Sequence, residues 1–333
     1  MLKTGIKLAV AAALVAGALA APAAAEPYKL RVSSDTIPTH LAPIIFKMPD
    51  QLKYYNKDYT VEFFRFKGSS LVLQALAADQ IDVGVLAFST FATGIVNAHL
   101  PIKGIADVAQ DGPSFSTVYA VTENSPIKSV KDLKGKTIAV NAIGGAVDMA
   151  ARGVLRKNGL VPDTDVRIIE AGFGAMEAMT KADKVQVGAF LAPFWSKALK
   201  DGGFRPLFLQ KDAMGTTQFL FFCAKEDFIA KHRDVLVKFL ADYVHGIGVV
   251  HEAKNRDRVL KIMAELTSRP PEAFADWALL PGKDFFHDPH GLVNEKALQS
   301  NVDALVELKM LSTSFDVNKH IDNSLVRDAM KAM

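Results

Sequence analysis

Two stretches of this chain carry one pattern. Gly68–Phe91 (GSSLVLQALAADQIDVGVLAFSTF) is echoed without a gap, 104 residues later, by Gly172–Trp195 (GFGAMEAMTKADKVQVGAFLAPFW). Gly68 falls on Gly172, Ala78 on Ala182, Asp79 on Asp183, Val83 on Val187 and Gly84 on Gly188. Each copy runs glycine turn, short helix, acidic turn, buried strand, aromatic-bearing loop. The shared order of elements constrains the fold more than the few identities do. Two similar α/β units make two lobes, and two facing lobes enclose a cleft suited to trapping a ligand.

The flanking segments extend each unit. Leu30–Ser34, Thr60–Phe66, Ile81–Leu86 and Ile102–Val108 read as strands. Between the first two, His40–Tyr55 shows apolar residues at helical spacing, with Pro49 set to kink or end the helix. This alternation predicts a parallel sheet with helices on its faces. A second unit follows, with strands at Thr137–Asn141 and Val166–Glu170. Its first helix opens at Gly144-Gly145 and closes at Asn158, with Gly159 as C-cap. Helical spacing then dominates from Phe228 to Ala332, and such a tail packs most simply on the first lobe. The expected division is residues 1–25 as a leader, 26–116 and 217–333 as the first lobe, and 117–216 as an inserted second lobe. The chain then crosses twice, near Ser114–Val118 and Gly215–Phe219, and two crossing strands make a hinge.

The leader has the form of a secretory signal: Lys3 and Lys7, an apolar run Leu8–Leu19, then Ala23-Ala24-Ala25 before Glu26. The run is too short for a membrane helix, which needs about 20 apolar residues. The mature protein is therefore expected to be exported, soluble and periplasmic. Net charge is +3 for the full chain, and +1 once Lys3 and Lys7 leave. The basic residues are scattered, so no nucleic-acid partner is implied. Cys223, the single cysteine, lies in the apolar run Phe219–Ala224 and reads as a buried small residue. One cysteine forms no internal disulfide.

Three stretches carry a family resemblance: Gly68–Asp79 with Ile81-Asp-Val-Gly84, Ser129–Lys136 with Ile138-Ala-Val140, and Ala192-Pro-Phe-Trp195. Across roughly Leu30–Leu311 the chain resembles periplasmic substrate-binding proteins of ABC importers, of the nitrate/sulfonate/taurine-type (NMT1/THI5-like) branch. The resemblance implies an α/β type II periplasmic-binding-protein fold, two α/β lobes joined by a two-strand hinge. It implies capture of a small-molecule ligand by lobe closure, delivery to an ABC permease in the inner membrane, and a monomer without cofactors. The family often carries small hydroxyl residues where the second-lobe helix opens. Here those positions read Gly144-Gly145-Ala146. The departure weighs against sulfonate or nitrate and leaves a carboxylate held by backbone N–H groups.

In open α/β sheets ligands sit beyond the carboxyl ends of the strands. Six loops qualify: Asp35–His40, Lys67–Ser70 and Ala87–Phe91 in the first lobe, Asn141–Ala146, Ala171–Gly174 and Ala192–Trp195 in the second. Helix N-termini there favour an anion. The candidate ligand-binding residues are Thr36, His40, Gly68, Ser69, Ser70, Phe88, Ser89, Gly144, Gly145, Ala146, Phe173, Phe194 and Trp195. The aromatic members point to a ligand with a flat or apolar body. A core position is open to each of these rings, and Phe91 shares the choice. Asp148, early in the second-lobe helix, complements its dipole.

Other function classes fit less well. His287-Asp-Pro-His290 has close spacing, but Pro289 breaks any helix that would align a metal pair. No GxSxG elbow or phosphate loop appears, and the cysteine-rich motif of pyrimidine-synthase relatives is missing, so no catalytic residue is assigned. A ligand sensor feeding a kinase would share this sequence pattern with a transport component.

Overall fold

The computed structural model describes residues 26–34, 39–112 and 115–333. Its strands are β1 (Tyr28–Ser34), β2 (Tyr59–Arg65), β3 (Gly84–Ala87), β4 (Ile102–Asp111), β5 (Val118–Thr122), β6 (Thr137–Val140), β7 (Arg167–Glu170), β8 (Val187–Phe190), β9 (Phe204–Leu209) and β10 (Thr217–Lys225). The helices that frame the site are α1 (Ala42–Ile45), α2 (Ser69–Ala77), α3 (Phe88–Val96), α4 (Ala146–Lys157), α5 (Phe173–Lys181) and α6 (Phe194–Asp201). Beyond them come α7 (Gln210–Met214), α8 (Glu226–Lys231), α9 (Arg233–His251), α10 (Arg256–Thr267), α11 (Glu272–Ala275), α12 (Glu295–Glu307) and α13 (Ser324–Ala332).

The strands form two sheets of one design. In the first, β2 pairs with β1, and β10 lies between β3 and β4, antiparallel to both. A parallel bridge at Val32 and Val83 joins β1 to the approach of β3. Arg31 reinforces that joint, its guanidinium 2.6 Å from the Asp82 carboxylate. The order is thus β2-β1-β3-β10-β4. The second sheet runs β7-β6-β8-β5-β9, with β5 antiparallel to its neighbours. In each sheet the antiparallel strand is the one that the chain reaches by crossing over from the other sheet.

The internal echo has a physical basis. Asp79 and Asp183 both adopt a left-handed turn, at φ 54° in each. Short acidic side chains tolerate that region better than bulky ones. Gly84 lies against Leu76, where an added Cβ would come within 2.5 Å of Leu76 Cδ1. Gly188 lies likewise against Thr180, at 2.8 Å from its Oγ1. Thr180 is the counterpart of Leu76, so one close helix–strand contact is built twice.

The segment His40–Tyr55 corrects the single-helix reading. It holds only α1 and a 3₁₀ turn at Pro49–Gln51. Leu41, Ala42, Ile44, Ile45, Phe46 and Met48 are all buried, with Lys47 alone exposed between residues 41 and 48, so this stretch is packed around most of its girth. The aromatic-bearing loops of the two copies also differ from expectation. Each winds directly into a helix, at Phe88 in α3 and Phe194 in α6.

The long helix α9 lies against the first sheet through Phe239 and Tyr243, whose rings meet Phe222 of β10. Asp242, on the same helix and 1% exposed, accepts hydrogen bonds from the backbone N–H groups of Lys53, Tyr54 and Tyr55 and from the Tyr59 hydroxyl. That one carboxylate fixes the chain's entry into β2. Burial, with the Asp242 charge beside it, keeps the Tyr59 hydroxyl protonated. Cys223 is fully buried, and burial pushes its thiol up.

The two crossovers meet where Thr217 pairs with Asp111, its hydroxyl 3.5 Å from Asp111 O. Asp111 ends β4 and accepts from the Ser116 hydroxyl (2.5 Å), the Thr117 N–H (2.8 Å) and the Thr117 hydroxyl (3.0 Å). Asn301 of α12 donates to Met214 O and Thr216 O and accepts from Gln218 N–H. Burial raises the Asp111 carboxyl to about 6 against the pull of these donors. Pro113 and Ser114, part of the first crossover, lie outside the described residues.

Candidate functional site: a cavity at four helix starts

A small cavity of ≈ 30 Å³ lies between the two sheets. The first unit contributes Thr39, Ser69, Ala87, Phe219 and Leu220 to its wall; the second contributes Asn141, Ala142, Gly145, Ala146, Val147, Phe173 and Leu191. Ser69 opens α2, Ala87 caps α3, Gly145 and Ala146 open α4, and Phe173 opens α5. Four helices therefore begin at one point. None of their N-cap residues, Gly68, Ala87, Gly145 and Gly172, makes a side-chain hydrogen bond to the first N–H groups, and the partial positive charge of each helix start is directed there.

One acidic residue sits in these first turns. Asp148 is 1% exposed, accepts from Gly144 N–H at 2.8 Å and pairs with Arg152 at 2.8 Å. Arg152 continues to Asp163 at 2.6 Å. The charge of Asp148 is thus spent on shaping the turn before α4.

The facing loops touch. Ser70 donates to Ile143 O at 3.2 Å and Ser89 to Gly144 O at 3.3 Å. A Cβ added at Gly68 would lie 2.6 Å from Ala142 Cβ. Gly144 takes φ +79°, which favours glycine, and this turn carries the chain across the cleft mouth. Among the described residues, Thr39 Oγ1 and Asn141 Oδ1 are buried without a hydrogen-bond partner, and both residues line the cavity. A buried polar atom without a partner is costly, and here two of them converge on one space. Both fall in loops that the sequence marks, Asp35–His40 and Asn141–Ala146, but no residue-level signal singles either one out.

The candidate residues separate into groups. Ser69, Gly145, Ala146 and Phe173 line the cavity. Gly68, Ser70, Ser89 and Gly144 form the contact between the facing loops. Thr36 lies outside the described residues. His40 is fully buried, its ring edge-on to Phe222 at 5.3 Å. Desolvation, with His287 nearby, lowers it to about 3, so it stays neutral and offers an anion no charge. Phe88 is fully buried, and Phe91 packs on Phe221; neither lines the cavity, because both sit in the first turns of α3, which pack into the core. Phe194 stacks on Phe173 (centroids 5.8 Å apart) beneath the Arg269 guanidinium. Trp195 packs on Phe190 and borders a different space. The His287–His290 spacing brings no pair together: His287 is buried with Nδ1 2.7 Å from Val108 O, while His290 is exposed.

The sequence profile described as "NMT1/THI5 like" matches residues 53–255, more than half of the chain. The chain belongs to the NMT1/THI5-like family. This family member is 25% identical over 274 residues to a putative aliphatic sulfonates-binding protein of Escherichia coli strain K12, covering 82% of each chain. Its fold is similar to that of the periplasmic aliphatic sulphonate binding protein SsuA from Escherichia coli (TM-score 0.68, 21% identity, covering 90% of this chain and 99% of that one). It is similar also to that of the periplasmic nitrate-binding protein NrtA from Synechocystis PCC 6803 (TM-score 0.71, 18% identity, covering 92% and 89%). Among the described residues, no helix is long and apolar enough to cross a membrane.

Proposed function

We propose that this family member is the solute-binding component of an ABC importer, exported to the periplasm through residues 1–25, and that it captures a small organic anion between two lobes. The observation that carries the reading is the convergence of four uncapped helix starts on a cavity that also holds the unpartnered Thr39 and Asn141. The names of its relatives, which bind sulfonates and nitrate, support the same class of ligand. The lobes comprise residues 26–116 with 217–333, and 117–216; they close about the two crossovers and hand the solute to a membrane permease. Closure strips water from the site and strengthens every polar contact in it. No residue is assigned a catalytic role.

A carboxylate suits the site best. Gly145 and Ala146 offer backbone N–H groups at the α4 start without hydroxyl side chains, and a planar head fits a narrow space better than a tetrahedral one. A thermal-shift panel of alkyl and aryl carboxylates, the matching sulfonates, nitrate and uncharged pyrimidines tests this, because a ligand that binds only the native state raises its melting temperature. Carboxylates are expected to give the largest shifts. Larger shifts with sulfonates would correct the head group; shifts with uncharged compounds alone would end the anion reading.

Thr39→Val provides a residue-level check with two opposite signs. Removing an unpartnered buried hydroxyl is expected to stabilise the ligand-free protein by about 1 kcal/mol. The same change removes a hydrogen bond to a charged ligand, so anion affinity falls about tenfold or more. Urea unfolding and calorimetry measure the two effects. A loss of stability together with unchanged affinity would remove Thr39 from the site.

A further inference from the structure

The central cavity is too small for the whole of an organic ligand. At ≈ 30 Å³ it admits a group about the size of one or two water molecules. Beside it runs a groove of ≈ 850 Å³, within the range of about 300–1,000 Å³ usual for small-molecule pockets. The groove also lies between the two units. Trp195 and Leu199 of α6 form one wall, Trp277 and the α10–α11 connection form the other, and Phe115 of the first crossover closes the end. Leu199 is 54% exposed there.

Cavity and groove lie next to each other, as two sets of neighbouring wall residues show. Leu191 lines the cavity, and Pro193, two residues on in the same loop, lines the groove. Phe219 lines the cavity and stacks on Phe285 (5.3 Å), which meets Phe115 of the groove edge-on at 4.8 Å. The walls are held in place. Trp195 packs on Phe190, and Trp277 donates its indole N–H to Ala273 O at 2.8 Å. The groove's charges nearly cancel, with Lys197, Lys200, Arg269 and Lys283 against Asp201, Glu272 and Asp276, so its apolar walls decide what it accepts.

We infer that the ligand is an anion with an elongated aromatic or branched apolar body, its head at the four helix starts and its body in the groove between Trp195 and Trp277. The inference rests on the reading of the cavity as an anion site and extends it to the rest of the ligand. Trp195 then contacts the body of the ligand and not its charge. Aromatic walls add large apolar contact area for each ring buried.

The test is a length series on the mature protein: acetate, benzoate and biphenyl-4-carboxylate, with the matching sulfonates run in parallel. The chain has two tryptophans, both on the groove, so intrinsic emission reports on its walls. Affinity by calorimetry is expected to rise about tenfold or more with each added ring. Tryptophan emission is expected to change more with the ring-bearing acids than with acetate, which closes the lobes without filling the groove. Leu199→Asp, at an exposed position that tolerates substitution, is expected to weaken biphenyl-4-carboxylate about tenfold while leaving acetate unchanged. Equal affinity across the series, or indifference of the biphenyl acid to Leu199→Asp, would overturn the inference and leave the anion site standing. Failure of every acid in both series to bind would overturn both.

Discussion

Gly68→Val is expected to hold the cleft open and weaken anion binding by about 5- to 150-fold, with little loss of stability. Gly68 has φ 177°, an extended backbone that valine adopts without strain. The obstacle is across the cleft: an added Cβ would sit 2.6 Å from Ala142 Cβ. Ala142 has no longer side chain to swing aside, so the facing loops must separate. Overpacking of this kind costs about 1–3 kcal/mol, and the cost falls on the closed arrangement alone. Affinity drops in proportion to the fraction of molecules still able to close. The second copy supplies the control. Gly172 occupies the equivalent position, yet a Cβ there meets nothing within 4 Å. Gly172→Val should therefore leave affinity near the parent value. Calorimetry with the best anion of the panel gives the affinities, and small-angle scattering gives the compactness. Equal affinities for the two variants would show that Gly68 and Ala142 do not meet when ligand binds.

Asp242→Ala is expected to produce the largest loss of stability. Its carboxylate receives three backbone N–H groups and one tyrosine hydroxyl inside the protein. Alanine leaves those donors without an acceptor, and orphaned buried donors cost more than the bonds themselves were worth. A loss of about 3–5 kcal/mol follows, or a fall in melting temperature on the order of 10 °C. Asp242→Asn keeps an acceptor oxygen and is expected to lose roughly half as much. Denaturant and thermal unfolding measure both. A loss below about 1 kcal/mol for the alanine variant would show that water replaces the carboxylate at no great cost.

The architecture was legible because it is written locally. A 104-residue echo that repeats turn, helix, turn and strand survives as two sheets of one order, down to Asp79 and Asp183 in the same left-handed turn. The glycine-led loops were legible too, since glycine and small residues mark close approach. Aromatic placement was not. Phe88 and Trp195 follow strand ends, where the pattern cannot show whether a loop or a helix comes next. A helix begins at or beside each, and the Phe88 side chain goes into the core. His40 escaped in the same way, because its neighbours Phe63 and Phe222 arrive from β2 and β10, far away in the chain. Thr39 and Asn141 matter for what they lack, a partner, and a missing contact has no signature in a single sequence.

The crossing of β5 and β10 bears on the order in which the chain can become a protein. β3 and β4 do not touch as partners; β10 stands between them. A ribosome reaches β10 only after the whole of the other sheet has been made. Until then the first sheet has a gap at its middle and two unpaired strand edges, so it cannot lock into its final form. Any product cut short before Thr217 would keep that gap for good. A keystone delivered late keeps the chain from setting before most of it has been made.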